Sequence, residues 1–344
     1  MSEAADLPSD EREELAAALG AMNLLKPGQF FYAERLSGGV SCDVYSVAAA
    51  GETYCVKRAL PKLRVQADWR APVERSSSEV AWMNLAYGVA PDNVPEVLGE
   101  DPSRHMFAME FFRPDENPVW KMQLAAGNTD PDFAGRVGAV LAQIHAATAK
   151  RPEIAAAFAN DEQFMALRLD PFLLYVAAKY DDVAPELRAL ADGVAKARIA
   201  LMHGDVSPKN ILAGLKGPIF LDAETACYGD PAFDLAFCLT HLLLKCVWHP
   251  EWTMDYEDCF AALKDAYLEG VNWEKPADTE ARATRLIPAL LLARVDGKSP
   301  ADYLTDENKR SFVRDNAKRL LKDKAASLDD LAEIWAEAVT RDLA

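Results

Sequence analysis

Apolar residues recur with two different periods along this 344-residue chain, and the change between them divides it. Leu15, Leu19, Met22 and Leu25 fall at helical spacing behind Ser9 and Asp10, which predicts a capped amphipathic helix within residues 1–26. From 30 to 112 the period shortens. Strands are expected at 30–36, 42–48, 53–58, 94–98 and 106–112, with one helix at about 76–87. Beyond Arg113 and Pro114 the helical period returns, as in the stripe Phe133, Val137, Val140, Leu141, Ile144 and Ala147. It is interrupted once, at 200–225, by a polar loop and two short strands that turn at 215–217. The pattern predicts an α+β chain of two lobes. A small antiparallel β-rich lobe covers 1–112, including the N-terminal helix, and a larger, mainly helical lobe covers 113–344, with a hinge near 110–116.

Composition narrows the class without naming a chemistry. Hydrophobic residues make up 50% and charged residues 26%, with 17 Gly and 20 Pro, which excludes collagen-like and disordered chains. The net charge of −17 is spread along the chain, so its field opposes polyanions and anionic lipid surfaces. No nucleic-acid or membrane partner is expected. Six cysteines, at 42, 55, 227, 238, 246 and 259, lack metal-site spacing and read as reduced thiols. The acidic N-terminus lacks the pattern of a secretory signal and no apolar run approaches a membrane span, so the cytoplasm is the expected compartment.

The polar loop is where chemistry concentrates. It runs His203, Gly204, Asp205, Val206, Ser207, Pro208, Lys209, Asn210, and Asp222 and Glu224 follow from the hairpin. An aspartate and an asparagine five positions apart, facing a further carboxylate, suit phosphoryl transfer. One carboxylate orients an attacking hydroxyl, while an amide and a second carboxylate hold Mg²⁺ against nucleotide phosphates. An ordinary turn is the plainer alternative. His203-Gly204-Asp205 with Asn210, then Asp222-Ala223-Glu224, then Gly229-Asp230-Pro231-Ala232-Phe233-Asp234, resembles the aminoglycoside phosphotransferase and choline kinase superfamily, whose fold is protein-kinase-like. The resemblance implies ATP and Mg²⁺ as cofactors and a small-molecule hydroxyl as acceptor. It makes Asp205 the catalytic base, Asn210, Asp222 and Glu224 the metal contacts, and His203 and Asp234 the residues that shape and brace the loop. Asp230 before Pro231 reads instead as a helix start, and His145 as a core histidine.

The first lobe offers what a nucleotide site needs. Ser37, Gly38 and Gly39 lie between two strands, where backbone amides can approach phosphates, although Gly-Gly equally makes a hairpin turn. Lys57 on the third strand is placed to grip phosphates, with Glu79 on the following helix as its ion-pair partner. Ser76-x-x-Glu79 is also a capping box. By resemblance, adenine would bond to backbone at Glu110 and Phe112. Lys57, Arg58, Lys62, Arg64, Arg70 and Arg75 form a basic run that reads either as a solvated face or as a neighbour of the phosphates.

Acceptor contacts are expected from the helical lobe, with Lys209, Trp248, Trp252 and Arg294 as candidates. Tryptophans at a helix end can simply pack, and an arginine near a helix C-terminus suits the dipole. Lys209 fits an anionic or neutral polyol better than a cationic antibiotic. A second resemblance, to the methylthioribose kinases, rests on Lys57-Arg58-Ala59-Leu60-Pro61 with Arg64 and Trp69, and on Asp222-x-Glu224 and Tyr228-Gly229 before Phe233-Asp234. Those sugar kinases lack the counterpart of Asn210. A silent nucleotide-binding pseudokinase is the rival from another class, and retention of Lys57, Asp205, Asn210 and Asp222 together speaks against it. The acceptor and the oligomeric state stay open at the level of sequence.

Overall fold

The short apolar period of the first third becomes one antiparallel sheet. The computed structural model describes residues 7–36, 41–62, 64 and 72–343, and it divides into two compact units, Met1–Asn117 and Pro118–Ala344. In the first unit β1 (Phe31–Arg35), β2 (Cys42–Ala49), β3 (Glu52–Ala59), β4 (Val97–Asp101) and β5 (Met106–Glu110) are ordered β1-β2-β3-β5-β4. All neighbouring strands are antiparallel. Tyr45, Val47, Tyr54, Val56, Met106 and Ala108 pack with Leu15, Ala18 and Leu19 of the helix Ser9–Ala21. Side chains alternate across a strand, so Cys55 and Lys57 fall on the face opposite Tyr54 and Val56. In register, Lys57 sits between Val44 and Phe107. The helix Arg75–Val89 brings Glu79 to that face.

Three expectations shift at their edges. Ser9 does not cap the first helix: Pro8 is extended, with φ −50° and ψ 145°, and Ser9 is already helical. The helix then stops at Ala21, because Asn23 is left-handed at φ 62° and the amides of Leu24 and Leu25 turn back onto the Leu19 carbonyl. The fourth strand begins at Val97 and not at Val94, since Pro95 has no N–H for the ladder. Three members of the basic run are engaged within this unit. Arg58 and Arg64 pair with Asp43, and Arg75 donates to the carbonyls of Ser41, Leu60 and Pro72. Ser37, Gly38, Gly39, Trp69 and Arg70 lie outside the described residues.

In the second unit the long period becomes helices around one fully buried member. Ala232–Trp248 is buried at every position from Ala232 to Val247, which its all-round apolar sequence dictates. The helix Pro131–Thr148 lies against Thr253–Gly270. Close approach is set by Gly138, where a Cβ would come within 2.2 Å of the Leu263 carbonyl oxygen. Two small ribbons carry the polar loop. β6 (Ala200–Met202) pairs with β9 (Cys227–Gly229), and β7 (Ile211–Gly214) pairs with β8 (Gly217–Phe220) around the expected turn. Among the described residues no single helix is long and apolar enough to cross a membrane.

Candidate active site

The loop 203–210 joins β6 to β7, and the segment 221–226 joins β8 to β9, so the two ribbons hold the two polar segments together. Gly204 makes the close approach possible. It is left-handed at φ 80°, and a Cβ there would lie 2.5 Å from Thr225 Oγ1. Thr225 Oγ1 donates to the His203 carbonyl (3.2 Å). Behind the loop, the carboxylate of Asp234 accepts from the amides of His203 (2.7 Å) and Gly204 (2.8 Å). His145 links Asp234 to Tyr267, with Nε2 3.2 Å from Asp234 Oδ2 and Nδ1 2.8 Å from Tyr267 Oη. All three side chains are buried, so this chain rigidifies the loop at no loss of hydrogen bonding. Asp230 makes the expected helix start, Oδ1 accepting from the Ala232 amide, and also holds Arg282 through both oxygens.

His203 shapes the turn from inside. Its Nδ1 accepts from the Asp205 amide (3.2 Å), which leaves Nε2 to donate to the Leu221 carbonyl (3.0 Å). Burial holds its pKa below the usual histidine range, so the ring is neutral in this role.

Asp205 is 4% exposed and its two oxygens differ. Oδ2 takes Arg168 Nη2 (3.0 Å), Lys209 Nζ (3.0 Å) and Asn210 Nδ2 (2.8 Å). Among the described residues no donor bonds Oδ1. Burial pushes this carboxyl up, but the charges of Arg168 and Lys209 outweigh it and hold the pKa below the ordinary carboxylate range. Asn210 also donates Nδ2 to the Asp205 carbonyl (3.0 Å), so its Oδ1 faces away from the loop's own acceptors. Asp222 follows β8 in the left-handed region, at φ 69°, and its charge reaches both Asp205 and His203. A strained aspartate beside a second carboxylate is a feature of functional sites. Glu224 is buried close by in sequence, with its carbonyl bonded to Gln163 Nε2 (2.5 Å).

Arg168 carries no motif in the sequence, yet it is central. It stands in a π-helical segment, Met165–Leu174, that contains Pro171. Proline offers no N–H to the carbonyl four residues back, and Arg168 Nη1 bonds that carbonyl, Leu167 O (2.8 Å). Its Nε donates to Gly204 O (2.7 Å). The only sequence signal was an arginine inside an apolar run.

Of the acceptor candidates, Lys209 is half-exposed and joined to Asp205. Arg294 is buried near the end of the helix Pro276–Asp296, bonded to Ser299, and it feels the charges of Asp205 and Arg168. Trp248 stacks near Tyr303, with centroids 4.6 Å apart. Trp252 is spent on packing, against His249 and Gly127.

In the first unit Lys57 Nζ and Glu79 Oε1 form a buried ion pair at 2.6 Å. The helix already begins at Arg75, so Glu79 makes no capping box. Glu110 ends β5 with its amide bonded to the Glu96 carbonyl (2.9 Å), leaving only its own carbonyl for any ligand. Phe112 follows, half-buried, and its amide has no hydrogen bond among the described residues.

The family model for the phosphotransferase enzyme family, APH, matches residues 33–283. The chain belongs to that family. A methylthioribose kinase of Pectobacterium carotovorum is 25% identical over 216 residues, covering 55% of this chain and 54% of that protein. The chain spans about half the length of the curated relatives it matches, several of which are methylthioribose kinases. Among solved structures, a choline kinase of Cryptosporidium parvum has a TM-score of 0.56 at 13% identity, covering 94% of this chain and 99% of that one. An amicoumacin kinase bound to AMP-PNP and Ca²⁺ has a TM-score of 0.51 at 14% identity, covering 93% and 97%. These likenesses establish the two-lobed kinase-like fold.

Proposed function

We propose that this protein is an ATP- and Mg²⁺-dependent kinase that transfers the γ-phosphate to a hydroxyl of a small molecule. The observation that carries the proposal is the asymmetry of Asp205: Oδ2 is saturated by three donors, while Oδ1 remains to accept from an alcohol. With its pKa held down, Asp205 stays ionised at neutral pH and is a weak base. Such a group suits a loose transition state, in which it orients the alcohol first and receives the proton late. Lys209, beside it and half-exposed, offsets charge on the transferring phosphoryl group. Lys57, fixed by Glu79, supplies the cation for nucleotide phosphates, and Asp234 and His203 keep the loop in shape.

The residues present fit a divalent ion. Among the described residues no three carboxylate, histidine or cysteine side chains gather at one point. Kinase Mg²⁺ needs no such cage, because one or two protein ligands suffice and phosphates and water fill the rest. Asn210 and Asp222 would hold it, with Glu224 as a further contact, and the repulsion between Asp222 and Asp205 is the charge it would relieve. The bound ion would neutralise phosphate charge. The likeness to a kinase bound to AMP-PNP and Ca²⁺ supports the same pair of ligands here.

The curated relatives favour one second reading, a sugar kinase of the methylthioribose kinase type. A silent pseudokinase is disfavoured, since no catalytic position is lost. Six free, buried cysteines support a cytoplasmic location for the proposed kinase. The proposed partner is a small molecule, and a net charge of −17 opposes nucleic acid and anionic membrane surfaces. The test is ADP release from Mg-ATP across a panel of sugars, hydroxy acids, choline and aminoglycosides. Asp205→Ala is expected to lower turnover ~10²–10⁴-fold with nucleotide affinity retained; near-normal turnover would sink the assignment.

A further inference from the structure

Three buried side chains near the catalytic loop have donors or ring nitrogens with no hydrogen-bond partner. They are Lys245 (Nζ, 1% exposed), Arg294 (Nε, 8%) and His241 (Nε2, 5%). Two of them meet at Tyr303. Lys245 Nζ lies 3.7 Å from the Tyr303 ring centroid and 4.2 Å from that of Trp248. His241 Nδ1 is 3.3 Å from Tyr303 Oη, and Arg294 lies within electrostatic range of the Asp205 carboxylate. Arg294 and Arg168 both sit over the ring of Phe172, at 5.9 and 5.7 Å, and Arg168 is the residue that holds Asp205. The group therefore adjoins the catalytic carboxylate within the second unit.

The charges there do not balance. Arg168 and Lys209 share the single carboxylate of Asp205, and Lys121 pairs with Asp302 through both oxygens at 2.8 Å. Lys245 and Arg294 form no ion pair among the described residues, in a chain whose net charge is −17. Aromatic faces attract the Lys245 ammonium but offer no acceptors to its N–H groups. A buried cation without acceptors is costly unless something fills the place. The nearest missing component is an anion.

We infer that the acceptor is an anionic alcohol, a hydroxyl compound carrying a carboxylate or phosphate, whose anionic group is held by Lys245 and Arg294 while its hydroxyl meets Asp205. This rests on the kinase function proposed above and names its substrate class. In the transfer the hydroxyl proton passes to Asp205, a bond forms from the alcohol oxygen to the γ-phosphorus, and the bond to the bridging oxygen breaks to release ADP. Choline and aminoglycosides, being cations, would add to the surplus and are excluded as acceptors. His241 stands by as a neutral partner, since burial and the nearby cations keep its pKa far below the usual range.

The test uses the full-length protein with its nucleotide site saturated by Mg-AMP-PNP. Binding of gluconate and ribose 5-phosphate is measured by calorimetry against glucitol, ribose, methylthioribose, choline and an aminoglycoside. At least one anion is expected to bind about tenfold or more tightly than its neutral counterpart. Lys245→Met and Arg294→Gln are each expected to lower that affinity by about tenfold or more. Arg294→Lys, which keeps the charge, is expected to retain most of the preference and guards against misfolding. Equal binding of neutral or cationic compounds, no binding by either anion, or variants that bind the anion normally would each overturn the inference. ADP release on the same panel separates the two claims. Anion binding that depends on Lys245 and Arg294 without any turnover keeps the anion site and removes the kinase, whereas turnover of choline or an aminoglycoside keeps the kinase and removes the anion site.

Discussion

Two buried polar groups lie near the loop 203–210, and they are built in opposite ways. On one side Tyr267, His145 and Asp234 form an unbroken chain that ends on the His203 and Gly204 amides, every link within 3.2 Å. On the other, Lys245 Nζ and Arg294 Nε are buried without acceptors, although Arg294 Nη1 still reaches Ser299. Burial alone therefore does not distinguish structure from function in this protein. Satisfaction does: the closed network sets the position of Asp205, and the open one has capacity left for a ligand.

The sharpest way to break the comparison is Asp234→Ala, which strands two buried amides and a histidine. It is expected to cost ~3–5 kcal/mol, read as an early midpoint in urea unfolding. Removing the unpaired cation has the opposite sign. Lys245→Met is expected to stabilise the fold by ~1–4 kcal/mol, with a clear dependence on pH. Burial brings the Lys245 pKa down to about 7 from an ordinary 10.5. Well below pH 7 the folded protein carries the buried charge in full, and as pH rises from about 7 toward 10.5 the folded state sheds a proton that the unfolded chain keeps. The stability gain of the variant over the parent is thus largest at pH 6 and fades by pH 10. Thermal melts at both values check it, and an equal gain at each would show that Lys245 is not the titrating group.

Smaller effects sharpen the same contrast. Gly204→Ala must hold φ near 80° while its methyl meets Thr225, an expected loss of ~1–3 kcal/mol together with reduced turnover. Lys209→Met removes a half-exposed donor while Arg168 and Asn210 remain on the same buried oxygen, so stability should stay within ~0.5 kcal/mol of the parent. Its signature is kinetic, a lowered kcat at unchanged unfolding midpoint.

What was legible in the sequence follows the range of the interaction. The loop from His203 to Asn210, with Asp222 and Asp234, is contiguous enough for spacing to reveal it. Lys57 and Glu79 were legible because a strand followed by a helix restricts which residues can meet, and their 2.6 Å pair decides against the capping box. Arg168 and Lys245 were not. Each is a basic residue in an apolar helix, and only packing between distant segments makes one a partner of Asp205 and leaves the other alone. The three-residue strands β6 and β9 escaped for another reason, being too short to show a period of two. Arg294 looked like a helix-end cation and is one, but its burial near Asp205 was invisible locally.

Pro171 carries a last consequence, for what fixes Arg168. It bars the Leu167 carbonyl from an α-helical partner, and the guanidinium that bonds that oxygen is itself anchored to Gly204, 36 residues away in the chain. In a π-helical turn that oxygen can still take the amide five residues on, so the guanidinium is an added tie and not the completion of the turn. Fixing Arg168 nevertheless needs the long-range contact with Gly204, so the hold on Asp205 is set by tertiary packing and not by the local helix.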